Sequence, residues 1–95
     1  MDFNKVISAL NSNTRQQIIK ILGRGPATVA EIFQEIKKNQ RVGLRYRESV
    51  YRALEKMVEA ELIEKYYEKD KGICYRLLTR KIKLDLVQGI AEGVE

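Results

Sequence analysis

Phe3, Val6, Ile7 and Leu10 recur three and four residues apart, which is the spacing of one helix face, and they predict a short amphipathic helix at the start of the chain. Asn11-Ser12-Asn13 interrupts it. Asn13 is placed to cap a second helix, with Gln16 in the reciprocal position three residues on and Ile18, Ile19 and Leu22 as its apolar face. Gly23 and Gly25 end that helix, and Pro26 cannot continue it. Thr28 and Glu31 repeat the capping pattern before a third helix, whose Val29, Ile32, Phe33 and Ile36 share a face. Lys37 and Lys38 fall in its last turn, at the end of the helix dipole that favours cations. Asn39 to Leu44, with Gly43, reads as a loop.

A helix follows over about residues 46–60. Val50, Leu54, Met57 and Val58 make its buried side; Arg47, Ser49, Tyr51, Arg52, Glu55, Lys56 and Glu59 fall mainly on the wet side. The texture then changes. Leu62 to Glu68, with Ile63, Tyr66 and Tyr67, and Ile73 to Leu78 predict two strands of similar length. Lys69-Asp70-Lys71-Gly72 between them is a turn, so the pair is an antiparallel hairpin. Thr79 is placed to cap a last helix over about 80–95, in which Ile82, Leu86, Ile90 and Val94 repeat every four residues. No strand has a βαβ crossover, which argues against a parallel sheet. The expected class is mainly α with a β-hairpin wing (α+β), in one domain over residues 1–95, and its parts are those of a winged helix-turn-helix.

A chain of 95 residues has a thin core, so a dimer interface would add useful apolar burial. Its 18 Lys+Arg against 13 Asp+Glu give a formal charge of +5, which suits a polyanionic partner. Cys74 is the only cysteine and histidine is absent, so no internal disulfide, zinc ligand set or Ser-His-Asp or Cys-His catalytic arrangement is available. Acidic residues are scattered over charged faces and no Gly-rich phosphate loop occurs, so the expectation is a non-enzyme without metal or cofactor. Met1 to Lys5 lacks a signal peptide's pattern and no apolar run is long enough to span a bilayer, so a cytoplasmic protein away from membranes is expected.

Ser49-Val50-Tyr51-Arg52-Ala53-Leu54, running on to Leu62-Ile63, resembles the recognition helix and first wing strand of ArsR-like and MarR/PadR-like winged-helix regulators. The likeness spans about Asn13 to Leu86. In those families the run S-V-x-R-x-L leads to G-L-I and a wing ending in Y-x-L-T; here the end is Tyr75-Arg76-Leu77-Leu78-Thr79, one residue longer. Glu61 stands where the family usually has glycine, and the connection from Lys38 to Tyr46 is longer than the usual tight turn. Metal-sensing members hold cysteine and histidine ligands that this chain lacks. The resemblance implies a transcriptional regulator that binds double-stranded DNA sequence-specifically. Its helix would enter the major groove N-terminus first, and its wing would lie on the flanking backbone or minor groove.

Ser49, Tyr51 and Arg52 match the groove-facing positions. Arg45 and Arg47 just before them are candidates for bases or phosphates, and Lys56 for a phosphate. Lys69 and Lys71 at the wing tip, with Arg76 on the return strand, complete the expected DNA-binding set. Tyr66, Tyr67 and Tyr75 are expected to pack rather than stack on bases. The apolar stripes of the terminal helices (about 1–11 and 80–95), with Phe3, Val6, Ile7, Leu10, Ile82, Leu86, Ile90 and Val94, suggest a homodimer; packing of the two segments on each other is the alternative. The competing function is a winged helix used as a protein-interaction module in a larger transcription or replication assembly.

Overall fold

The computed structural model describes residues 1–38 and 47–94. Four helices, α1 (Phe3–Leu10), α2 (Asn13–Leu22), α3 (Val29–Lys38) and α4 (Arg47–Glu59), precede two antiparallel hairpins, β1–β2 (Ile63–Glu68, Gly72–Leu77) and β3–β4 (Lys81–Asp85, Ile90–Val94). The class is α+β. The expected loop over Asn39–Leu44, and Arg45 and Tyr46 after it, lie outside the described residues.

Local signals account for the helix ends. Asp2 caps α1 by accepting from the Lys5 N–H at 2.9 Å. Thr28 and Glu31 form the reciprocal box at α3: the Thr28 N–H donates to Glu31 at 3.0 Å and the Glu31 N–H to the Thr28 hydroxyl at 3.2 Å. The Thr28 amide also holds the Glu31 carboxyl below its usual range. At α2 the cap is Ser12, which accepts from the Arg15 N–H, and not Asn13. Asn13 is the first helical residue, and the Gln16 side chain turns back to donate to the Leu10 carbonyl.

Helix α4 ends in a Schellman motif. The Leu62 N–H donates to the Met57 carbonyl and the Glu61 N–H to the Val58 carbonyl, both at 3.0 Å. The motif needs a left-handed residue, and Glu61 supplies it at φ 61°. An L-residue with a Cβ pays about 1–2 kcal/mol for that conformation, which glycine avoids. Glu61→Gly is therefore expected to raise stability by about 1 kcal/mol after its own entropy cost, seen as a melting temperature higher by roughly 4–8 °C.

The core forms where the helices and the first hairpin meet. Val6, Ala9, Ile18, Ile32, Val50, Leu54, Met57, Ala60 and Tyr75 are all fully buried. Between α2 and α3, Ala27 exchanges two backbone bonds with Tyr75, at 3.0 and 2.8 Å, so the segment before α3 pairs with β2. This bridge fixes the first hairpin to the helical body. Turn Glu68–Lys71 closes the hairpin through the Lys71 N–H and the Glu68 carbonyl at 3.1 Å, with Gly72 next at φ 86°.

The helix expected over 80–95 is not formed; those residues make β3, a turn and β4. Asp85 accepts from the Val87 and Gln88 N–H groups at 3.1 and 2.9 Å, and Gly89 takes φ 67°. In a helix both residues would be costly, since Asp competes for backbone donors and Gly carries the larger entropy loss. As strands, the segment turns Ile82 and Ala91 toward the core. Thr79 caps no helix. Its hydroxyl bonds the Lys81 and Val94 carbonyls at the base of the hairpin, hard against Gly93.

The second of the two terminal helix stripes is thus not a helix face. Val6 is core within its own chain, and Asp2 bridges Ile90, so the two terminal segments pack on each other. Phe3, Leu10 and Ile82 are partly buried against the same core, whereas Ile7, Leu86, Ile90 and Val94 stay exposed.

Candidate nucleic-acid interface

Helix α4 has one buried side (Val50, Ala53, Leu54, Met57) and one wet side. Arg47, Tyr51, Arg52 and Lys56 are exposed on it, and Ser49 is half-buried. The residues expected to reach DNA therefore divide into neighbouring groups. Ser49, Arg52 and Lys56 line a groove of about 330 Å³ with Ser12, Thr14 and Arg15 from the start of α2. Tyr51 lies toward the first hairpin, close enough to Tyr75 to help raise its pKa. Lys69, Lys71 and Arg76 are exposed on the turn and return strand of that hairpin.

Ser12, Thr14 and Arg15 were not legible as neighbours of α4, because only the packing of α2 against it brings them there. Arg15 is already committed: its guanidinium donates to the Ala9 and Ser8 carbonyls at 2.6 and 3.0 Å, closing the C-terminal end of α1.

Three cations of the expected set hold a carboxylate. Arg52 pairs with Glu48 at 2.8 Å one turn back, and Lys71 with Glu31 at 3.5 Å, tying the hairpin turn to the start of α3. Arg76 bonds Glu64 across the hairpin and lies 4.9 Å from the Tyr66 ring centre. Pairs this exposed are worth about 0–1 kcal/mol each, so a phosphate can displace the carboxylate at small cost.

The excess charge lies elsewhere. From Lys37 to Arg47 the chain carries five basic residues (Lys37, Lys38, Arg41, Arg45, Arg47) and no acidic one. Removing those five from the 18 Lys+Arg leaves 13, against 13 Asp+Glu. The net +5 of the whole chain is thus the charge of the segment that leads into α4. A count of charge by segment would have found this; a whole-chain total hides it.

The hairpin beside α4 is held by Tyr75. It is fully buried, and its hydroxyl donates to Glu55 at 3.3 Å, the same carboxylate oxygen that Lys65 approaches at 3.2 Å. Burial first, and the Glu55 carboxylate second, push its phenol up to about 12. A raised folded-state value means this contribution is complete below about pH 10 and is lost as the pH climbs towards 12. Wild type should therefore lose up to about 2–3 kcal/mol over that window beyond any loss in Tyr75→Phe. Urea midpoints of the two proteins, compared from about pH 9 to 12, measure it.

Tyr67 is largely exposed, so the packing expected of all three hairpin tyrosines holds for Tyr75 and, beneath Arg76, for Tyr66. Cys74 is buried, and burial pushes its thiol up. Among the described residues no group of three or more His, Cys, Asp or Glu is arranged to hold a metal ion, and no helix is long and apolar enough to cross a membrane. Compared with protein-family models, curated proteins and solved structures, the chain matches none.

Proposed function

We propose that the chain is a winged helix-turn-helix that binds double-stranded DNA sequence-specifically as a transcriptional regulator. Helix α4 enters the major groove from its N-terminal end, and the β1–β2 turn rests on the flanking backbone or minor groove. The observation that carries this is the charge distribution: the entire net +5 belongs to Lys37–Arg47, the segment delivering an exposed helix N-terminus. Arg47, Ser49, Tyr51 and Arg52 occupy the first turns of α4, where a groove-bound helix meets base edges. Pairing of Ala27 with Tyr75 fixes the hairpin relative to the helices, which a two-point grip on a duplex requires. The resemblance to ArsR-like and MarR/PadR-like regulators supports the same reading.

One observation favours the second reading, a protein-interaction module. Glu48, Glu55 and Glu59 lie on the unburied side of α4. Of these, Glu48 is bound by Arg52 and Glu55 by Lys65 and Tyr75, which reduces their repulsion of phosphates. Glu59 lies in the last turn, at the end farthest from the basic segment.

An anisotropy titration of a labelled duplex at several salt concentrations separates the two. With about five phosphate contacts, the affinity should fall about 10²–10³-fold between about 50 and 200 mM salt. Lys69→Gln should make the log–log slope shallower by about one unit. Binding that ignores salt, or no binding below about 10 µM, would hand the surface to a protein partner.

A further inference from the structure

The β3–β4 hairpin has properties that DNA binding at α4 leaves unexplained. It is a two-stranded sheet seated on the core through Ile82 and Ala91. Strand β4 is flanked by Asp2, which bridges Ile90; among the described residues β3 pairs with β4 only. The outer edge of β3 thus offers unpaired backbone groups. The adjoining turn is rigid, held by the Asp85 side chain and by the Gly89 N–H bonded to the Asp85 carbonyl at 2.9 Å. It presents Leu86 at 77% and Val87 at 97% exposure, beside Leu84 at 36%.

We propose that β3 pairs edge to edge, antiparallel, with β3 of a second copy, about a two-fold axis at Leu84. The charges choose both the occupant and the register. Lysines on an edge strand ordinarily discourage pairing. Here an axis at Leu84 sets Lys83 opposite Asp85 of the other copy, twice by symmetry, and Leu84 opposite itself. It also brings Ile82 to the turn after β3 of the other copy, where Leu86 is exposed. An axis at Lys83 would oppose that lysine to itself, and one at Ile82 would oppose Lys81 to Lys83. Registers shifted by one residue would set charged positions against apolar ones. The result is a four-stranded sheet with strand order β4-β3-β3-β4. Three strand residues a side, with the flanking turns, make an interface below the roughly 1,200 Å² of stable complexes, which places it among weak associations.

Sedimentation equilibrium without DNA, from about 5 to 500 µM, tests this independently of what α4 binds. The wild-type mass should rise from 11.0 kDa towards twice that value. Lys83→Glu should weaken association about ten-fold or more, since it sets like charges opposite each other at two places. Lys81→Glu makes the same charge change on the same strand face but lies opposite the uncharged turn beyond β3 of the other copy, and should alter association less than about two-fold. Should Lys83→Glu lose its far-UV circular dichroism, Lys83→Gln serves instead, with about three-fold weakening. A monomer at every concentration overturns the proposal. So does equal weakening by the two lysine variants, or full association of the Lys83 variants.

Discussion

Replacing Arg47 and Arg52 together with glutamate is expected to lower affinity for duplex DNA about 100-fold or more, with the fold intact. Each arginine held against a base or phosphate is worth about 1–3 kcal/mol, and a carboxylate in its place adds repulsion. Both side chains are exposed at the N-terminal end of α4 and neither takes part in the core. Arg52 gives up only its ion pair with Glu48, an exposed contact one turn away, worth a few tenths of a kcal/mol. Thermal unfolding should therefore move by no more than a few degrees while anisotropy titration shows the loss. Unchanged DNA affinity in a folded double variant would remove α4 from the interface.

Tyr75→Ala is expected to cost about 3–5 kcal/mol, the usual range for deleting a buried aromatic ring. Stability for a chain of this size is about 5–14 kcal/mol, so this one change consumes about a fifth of it or more. The position explains the size of the effect. Tyr75 is wholly buried, its backbone makes both bonds to Ala27, and its hydroxyl reaches Glu55 on α4. It is the residue through which helix and hairpin hold one relative position. A urea midpoint and slope measured by circular dichroism check the figure. A loss under about 1 kcal/mol would mean that the hairpin is not held at Tyr75.

The first four helices and the first hairpin were legible because each rests on local signals. Apolar positions recur with helical period, Thr28 and Glu31 cap reciprocally, and Lys69–Gly72 offers a tight turn. The last hairpin was not. Ile82, Leu86, Ile90 and Val94 repeat every four residues, and four is also two strand periods, so periodicity alone could not decide. Asp85 and Gly89 decided it, through a side-chain turn and a left-handed backbone that a spacing count does not weigh. Non-local features were equally hidden: the Ala27–Tyr75 bridge and Val6 in the shared core.

At the candidate interface the basic side chains were legible as residue types, but their pairings were not. Glu48 and Arg52 sit four apart on one helix and could be matched by eye, whereas Lys71 with Glu31 and Arg76 with Glu64 depend on the docked hairpin and its register. These pairs shift attention from the wing cations to the segment before α4, which holds five basic residues and no acidic one between Glu35, paired with Lys38, and Glu48.

Selection of bound duplexes from a random-sequence pool, followed by titration of the enriched site, tests the reading of α4 as a DNA-recognition helix most directly. The predicted result is a short enriched motif bound at least about 10³-fold more tightly than unrelated duplex, a preference abolished by the Arg47 and Arg52 double reversal. A pool that remains random after repeated rounds, with equal and weak binding of every duplex, would contradict it.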